Sequence, residues 1–214
     1  MAANREPNLD GARRGMRLAG GLAGLVLATL ARAAELPTRV EPDLLALARQ
    51  ATISLPPPPA WPAGKTESHW SVEDFEAEFA KNSNRPPRII HSRLSFLRPQ
   101  HDWLVSFVDW FNRLQKSVKI TYKDQVFDCD DFARCFVSFA DMIALGSGES
   151  RGSICVGWAT VMNRRAFGGV GAGGGHAIVV VGTSEGIFVI EPSSGKMAAL
   201  GKYPNRDEFV DVNL

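Results

Sequence analysis

Apolar positions recur at helical spacing in three stretches of the chain. Ser71, followed by Asp74 three residues later, forms a capping box ahead of VEDFEAEFAKN, where Phe75 and Phe79 stand four apart and lay an aromatic stripe on one face. In HDWLVSFVDWFNRLQKSV, Trp103, Leu104, Phe107, Val108, Trp110, Phe111 and Leu114 keep the same period. A third helix is predicted from Cys129 to about Leu145. The pattern then changes. SICVGWATVM, HAIVVVGT and GIFVIEP are short and β-branched, and Ser184 to Gly186 between the last two is a hairpin turn signal. NRPPRIIHSRLSFLRP reads as a loop, and no internal repeat is visible. Helices first and strands after predict an α+β domain, its helices packed against a small antiparallel sheet.

The N-terminal stretch has a different character. Arg13, Arg14 and Arg17 precede an apolar run from Leu18 to Leu30, with small residues at Ala31 and Ala33. That run is shorter than the roughly 20 residues a membrane-spanning helix needs. It reads as a secretory signal cut near Ala33 or Ala34, which predicts a periplasmic or secreted protein with no stable membrane insertion after cleavage. The alternative is an uncleaved anchor or a buried helix. Residues 35–66 hold a short helical candidate and then Pro56 to Pro59, which favour polyproline II and suit a stiff linker or surface strap. The expected organisation is therefore 1–34 signal peptide, 35–66 proline-rich segment and 67–214 folded domain.

Composition narrows the function classes. With 45% hydrophobic residues in a chain of 214, one real core can form. Lys and Arg number 24 against 23 acids, so no basic excess points to nucleic acid. Three cysteines cannot all pair with one another, leaving at least one thiol free within the chain. Cys135 and Cys155 read as packing residues or as a pair in an oxidising compartment. His69, His91 and His101 show no metal-ligand spacing. The G-x-G-x-x-G from Gly169 to Gly174 is followed by a strand rather than a helix, so it is no dinucleotide site and reads as a mobile loop or lid.

Three positions fall where thiol chemistry needs them. Cys129 sits at the first turn of a predicted helix, where unpaired N–H groups and the dipole favour a thiolate. His176 opens one strand, and Glu191 ends the next, just before Pro192. If those strands pair through the short turn, a carboxylate holds the imidazole and the imidazolium activates the thiol. Gln125 is the nearest upstream side chain for an oxyanion donor, and Trp158 and Tyr122 are candidates to line a cleft. Asp128, Asp130 and Asp131 surround the cysteine. One reading makes them helix caps in the first turn; the other makes them oxygen ligands of a hard cation such as Ca²⁺.

FDCDDFA, GGHAIVVV and FVIEPSSG resemble the papain-like cysteine protease domain at the C-terminus of the Marasmius oreades agglutinin type, over about residues 70 to 210. The wider papain-like group, including NlpC/P60 peptidases and bacterial transglutaminase-like proteinases, is also similar. The resemblance implies a papain-like fold with the catalytic cysteine at a helix N-terminus, a Cys129–His176–Glu191 triad and activation by calcium. The agglutinin's sugar-binding β-trefoil has no counterpart here, so sugar binding is not carried over. The expectation is an exported thiol protease that cleaves amide bonds of protein or peptide through an acyl-enzyme. The alternatives are an inert papain-like binding module, a cell-wall peptide hydrolase and a transglutaminase-like acyltransferase.

Overall fold

The computed structural model describes residues 57–62, 69–91, 93–122, 127–146 and 152–214, all within the unit Pro56–Leu214. The expected signal segment and cleavage site lie outside the described residues, as do Gln125 and all of residues 35–66 except 57–62. In chain order the elements are β1 (His69–Ser71), α1 (Val72–Ala80), β2 (Arg88–Ile90), β3 (Ser95–Leu97) and α2 (His101–Ser117). There follow α3 (Cys129–Gly146), β4 (Ser153–Ile154), β5 (Val156–Met162), β6 (Gly175–Thr183), β7 (Gly186–Glu191), β8 (Lys196–Ala199) and β9 (Phe209–Asn213), with a 3-10 turn at Leu200–Lys202.

The capping box forms as the residues dictate. The Ser71 hydroxyl accepts from the Asp74 N–H at 3.1 Å, and the Asp74 carboxylate accepts from the Ser71 N–H at 2.9 Å. The α1 residues Phe75 and Phe79 are fully buried and sit among Ala159, Val161, Ile178, Val180, Ile187 and Val189. These strand positions alternate, so they share one face of the sheet. Val179 and Val181 point the other way and are equally buried, with α3 packed along β5 and β6 on that side. Burial of β6 on both faces explains its unbroken apolar run. Phe107 and Phe111 of α2 meet Phe136 of α3 edge-on at 4.8 and 5.1 Å, binding the two helices together. Residues 57–62 also find a place. Trp61 is buried edge-on against Trp103 at 4.8 Å, so the end of the proline-rich segment lies on α2.

The expected architecture, a papain-like set of helices on a small antiparallel sheet, is corrected here. The main sheet has six strands in the order β2-β9-β5-β6-β7-β8, and β2 runs parallel to β9. A second sheet, β1-β3-β4, includes a parallel pair. The described domain is a mixed six-stranded sheet plus a three-stranded one, with three α-helices. The reason is physical. β1, β2 and β3 are three residues each, too short to show alternation, and the segment expected to be a loop supplies both β2 and β3. Their partners lie far along the chain, so pairing and not local pattern makes them strands.

Candidate functional site

Three elements bring the expected trio together. Cys129 is the first residue of α3, His176 the second of β6 and Glu191 the last of β7. In the β6–β7 ladder Val179 opposes Ile190, which places Glu191 beside Ile178, on the same face as His176 two residues earlier. The His176 Nε2 and a Glu191 carboxylate oxygen are 2.6 Å apart. Cys129 is hydrogen-bonded to the same imidazole. All three side chains line one open cleft of about 470 Å³, together with Tyr122, Asn163 and Ser193.

Electrostatics fix the state of the histidine. Its side chain is 10% exposed and that of Glu191 2%. Burial alone pushes the imidazolium down, but hydrogen bonds and charge from Cys129 and Glu191 outweigh it, so the His176 pKa is pushed up to about 9. At neutral pH the ring is charged and donates to Glu191. The other Glu191 oxygen accepts from the Ser193 hydroxyl at 2.6 Å and the Ser193 N–H at 3.2 Å, so the carboxylate is satisfied on both sides. Ser193 was not among the expected site residues. Its signal was its position two residues after the carboxylate in a turn, a local geometry that lets a serine cap an acid.

This shift ties stability to pH. The folded value lies above the unfolded value near 6.5, so the stabilisation is fully present below about 6.5 and is lost as pH rises through about 9. Denaturant unfolding should show stability falling by up to about 3 kcal/mol between pH 6.5 and 9.5. The step should vanish in His176→Gln, and persistence of the same step there would assign it to another group.

The glycine run beside His176, expected as a mobile loop or lid, is tied to its surroundings by specific hydrogen bonds. Phe167 and Val170 bridge to each other at 3.0 Å in both directions. The Asn163 amide donates to the Gly171 carbonyl at 2.6 Å, while its oxygen accepts from Asn205 at 2.7 Å. Asn205 also exchanges hydrogen bonds with the Arg165 backbone. This buried amide pair clamps the loop at both ends. Gly168, at φ 62°, passes so close to Glu191 that a Cβ would lie 2.6 Å from the Glu191 Cβ, so only glycine fits. Asn163 and Asn205 stand 42 residues apart, and no motif marks either of them, so only folding brings the pair together.

The aspartates divide by role. The Asp128 carboxylate accepts from the Asp130 N–H at 3.3 Å, and the Asp128 N–H donates to Asp131 at 3.2 Å, a reciprocal cap on α3. Asp130 pairs with Arg134 at 3.0 Å, and its pKa is raised, first by a hydrogen bond with Asp128. Ligand atoms of Asp128, Cys129 and Asp130 lie within 4.8 Å of one another, while Asp131 is not in that group. Calcium takes six to eight oxygens. Two carboxylates, one already paired with arginine, and a thiol do not fit it among the described residues. Trp158 does not line this cleft. It faces a separate groove and lies under the Arg134 guanidinium at 5.1 Å. Cys135 and Cys155 are unpaired, and burial pushes their thiols up to about 11 and about 12.

Chemically, the arrangement is a thiol, a charged imidazole and a buried carboxylate in series, facing a cleft rimmed by glycine backbone. No helix among the described residues is long and apolar enough to cross a membrane.

No protein-family model matches the chain, and no curated protein matches it. Solved structures do resemble its fold. One, titled as a complex of PSL1a with E64, aligns with a TM-score of 0.51 at 14% identity over 70% of this chain and 52% of its own. Another, the Polyporus squamosus lectin bound to the human-type influenza-binding epitope Neu5Aca2-6Galb1-4GlcNAc, gives 0.51 and 14% over 70% of this chain and 50% of its own. The chain thus spans about half the length of these neighbours. At this identity the likeness speaks for the fold alone. The second of these is titled a lectin and neither title names a papain-like protease, so the expected assignment to a papain-like cysteine protease domain is corrected, and with it the hydrolase and thiol protease readings.

Proposed function

We propose that the chain is a binding module that holds its ligand in the cleft around Cys129, His176 and Glu191. The observation that carries this reading is the convergence of those three side chains, from three separate elements, on one open cleft of about 470 Å³. The charged His176 and the Cys129 thiol supply polar contacts, Tyr122 and Phe132 supply apolar ones, and the glycine rim leaves the backbone open to close approach. Glu191 acts through His176 as a positioning residue. The signal-type segment at residues 1–34 supports export, and the lectin neighbours support a carbohydrate or a similarly oxygen-rich ligand.

The test titrates the purified chain with E64 and, separately, with the Neu5Aca2-6Galb1-4GlcNAc trisaccharide, read by calorimetry and intact mass. At least one should bind with 1:1 stoichiometry, and Cys129→Ala or His176→Ala should weaken it at least tenfold, which is about 1.4 kcal/mol. Two results overturn the reading. Binding unaffected by both substitutions would place the ligand elsewhere. Turnover of a peptide pool by the wild type and not by Cys129→Ala would show that the module is catalytic.

A further inference from the structure

Every buried residue of α2 is apolar except Gln115, which is 6% exposed and follows Phe111 by one turn on the buried face. A side-chain amide carries donors that burial strips of water, so in a core it is kept only with a partner. The partner here is far along the chain: the Gln115 side-chain N–H donates to the Pro192 carbonyl at 2.7 Å. Asn112, three residues earlier and so on the same face, lies against Gly195, where a Cβ would collide with its amide nitrogen. The turn that follows Glu191 is thus seated on α2 at two points.

The Pro192 carbonyl and the Ser193 N–H belong to one planar peptide group. That N–H donates to one Glu191 oxygen at 3.2 Å, and the other oxygen holds the His176 Nε2 at 2.6 Å. Anchoring the carbonyl therefore fixes where the N–H points. A flipped peptide would turn the N–H away and set a carbonyl against the carboxylate. The hydrogen bonds run in series from Gln115 through this peptide to Glu191, His176 and Cys129, and each polarises the next. We infer that Gln115 is a positioning residue of the cleft, locking the Pro192–Ser193 peptide so that the Glu191 carboxylate stays aimed at the His176 imidazole. The inference concerns the pair itself, and rests on the proposed binding role only for its effect on affinity.

The test titrates the His176 imidazole by NMR in the isotope-labelled full chain. Cys129 of α3 and Glu191 of β7 are the groups that hold its charge, and the wild-type midpoint is about 9. Gln115→Met keeps the side-chain length and removes the donor. The midpoint should then fall by at least about half a pH unit, because a loosened carboxylate stabilises the imidazolium less. Asn112→Ala disturbs the same turn without touching the Pro192–Ser193 peptide, and should leave the midpoint within about 0.2 of wild type. If Gln115→Met does not fold, the wild type carries the test: the Ser193 N–H and the Gln115 side-chain N–H resonances should shift with the His176 midpoint, as bonds in series must. Of E64 and the trisaccharide, whichever binds the wild type should bind Gln115→Met at least about threefold more weakly. An unchanged or raised midpoint in Gln115→Met, an equal fall in Asn112→Ala, a Gln115 resonance that ignores the His176 titration, or unchanged ligand affinity would overturn the inference. If neither ligand binds the wild type, the ligand reading of the cleft falls, and the titration still decides the role of Gln115.

Discussion

Glu191→Ala is expected to destabilise the fold by about 3–5 kcal/mol at pH 7, the cost of leaving a buried charge without its partner. The His176 imidazolium loses its 2.6 Å contact, and the Ser193 hydroxyl and N–H lose theirs. Glu191→Gln keeps an acceptor for both and should lose clearly less. The distinguishing measurement is denaturant unfolding at two pH values. At pH 10 His176 is neutral, because its pKa is about 9, so the Glu191→Ala deficit should shrink. A deficit below about 1 kcal/mol at pH 7, against the range for breaking a buried pair, would show that the pair is not the anchor of the cleft.

Phe107→Ala should cost a similar amount, about 3–5 kcal/mol, through the cavity it leaves. Phe107 is fully buried, stacks on Trp103 at 5.1 Å and meets Phe136 edge-on at 4.8 Å. Phe136 lies two turns along α3 from Cys129, so this contact also holds the helix that carries the thiol. Thermal unfolding should show a lower midpoint, and ligand binding in the cleft should weaken along with it. A variant as stable as the wild type would mean that the α2–α3 seam closes up around the gap.

The helices were legible because each carries its own pattern. The Ser71–Asp74 box, the apolar period of α2 and the onset of α3 at Cys129 are local properties, set by spacing of 3.6 residues and by capping. The hairpin that carries His176 and Glu191 was legible for the same reason, since a short turn between β-branched runs fixes which ends meet. The family resemblance went further than these motifs warranted. Short matches around single residues constrain a local geometry and leave the fold and the activity of the whole chain open.

What the sequence by itself determined, then, is the set of elements with a strong local period and the pairing of neighbours in the chain. Tertiary structure alone decided the rest. β2 is a strand because β9, at the far end of the domain, lies beside it. Asn163 and Asn205 clamp the glycine loop because folding sets two buried amides 2.7 Å apart. Trp158 lines a separate groove and not the cleft, because the β5 register turns it there. Each depends on contacts between residues distant in the chain, and local pattern carries no record of them.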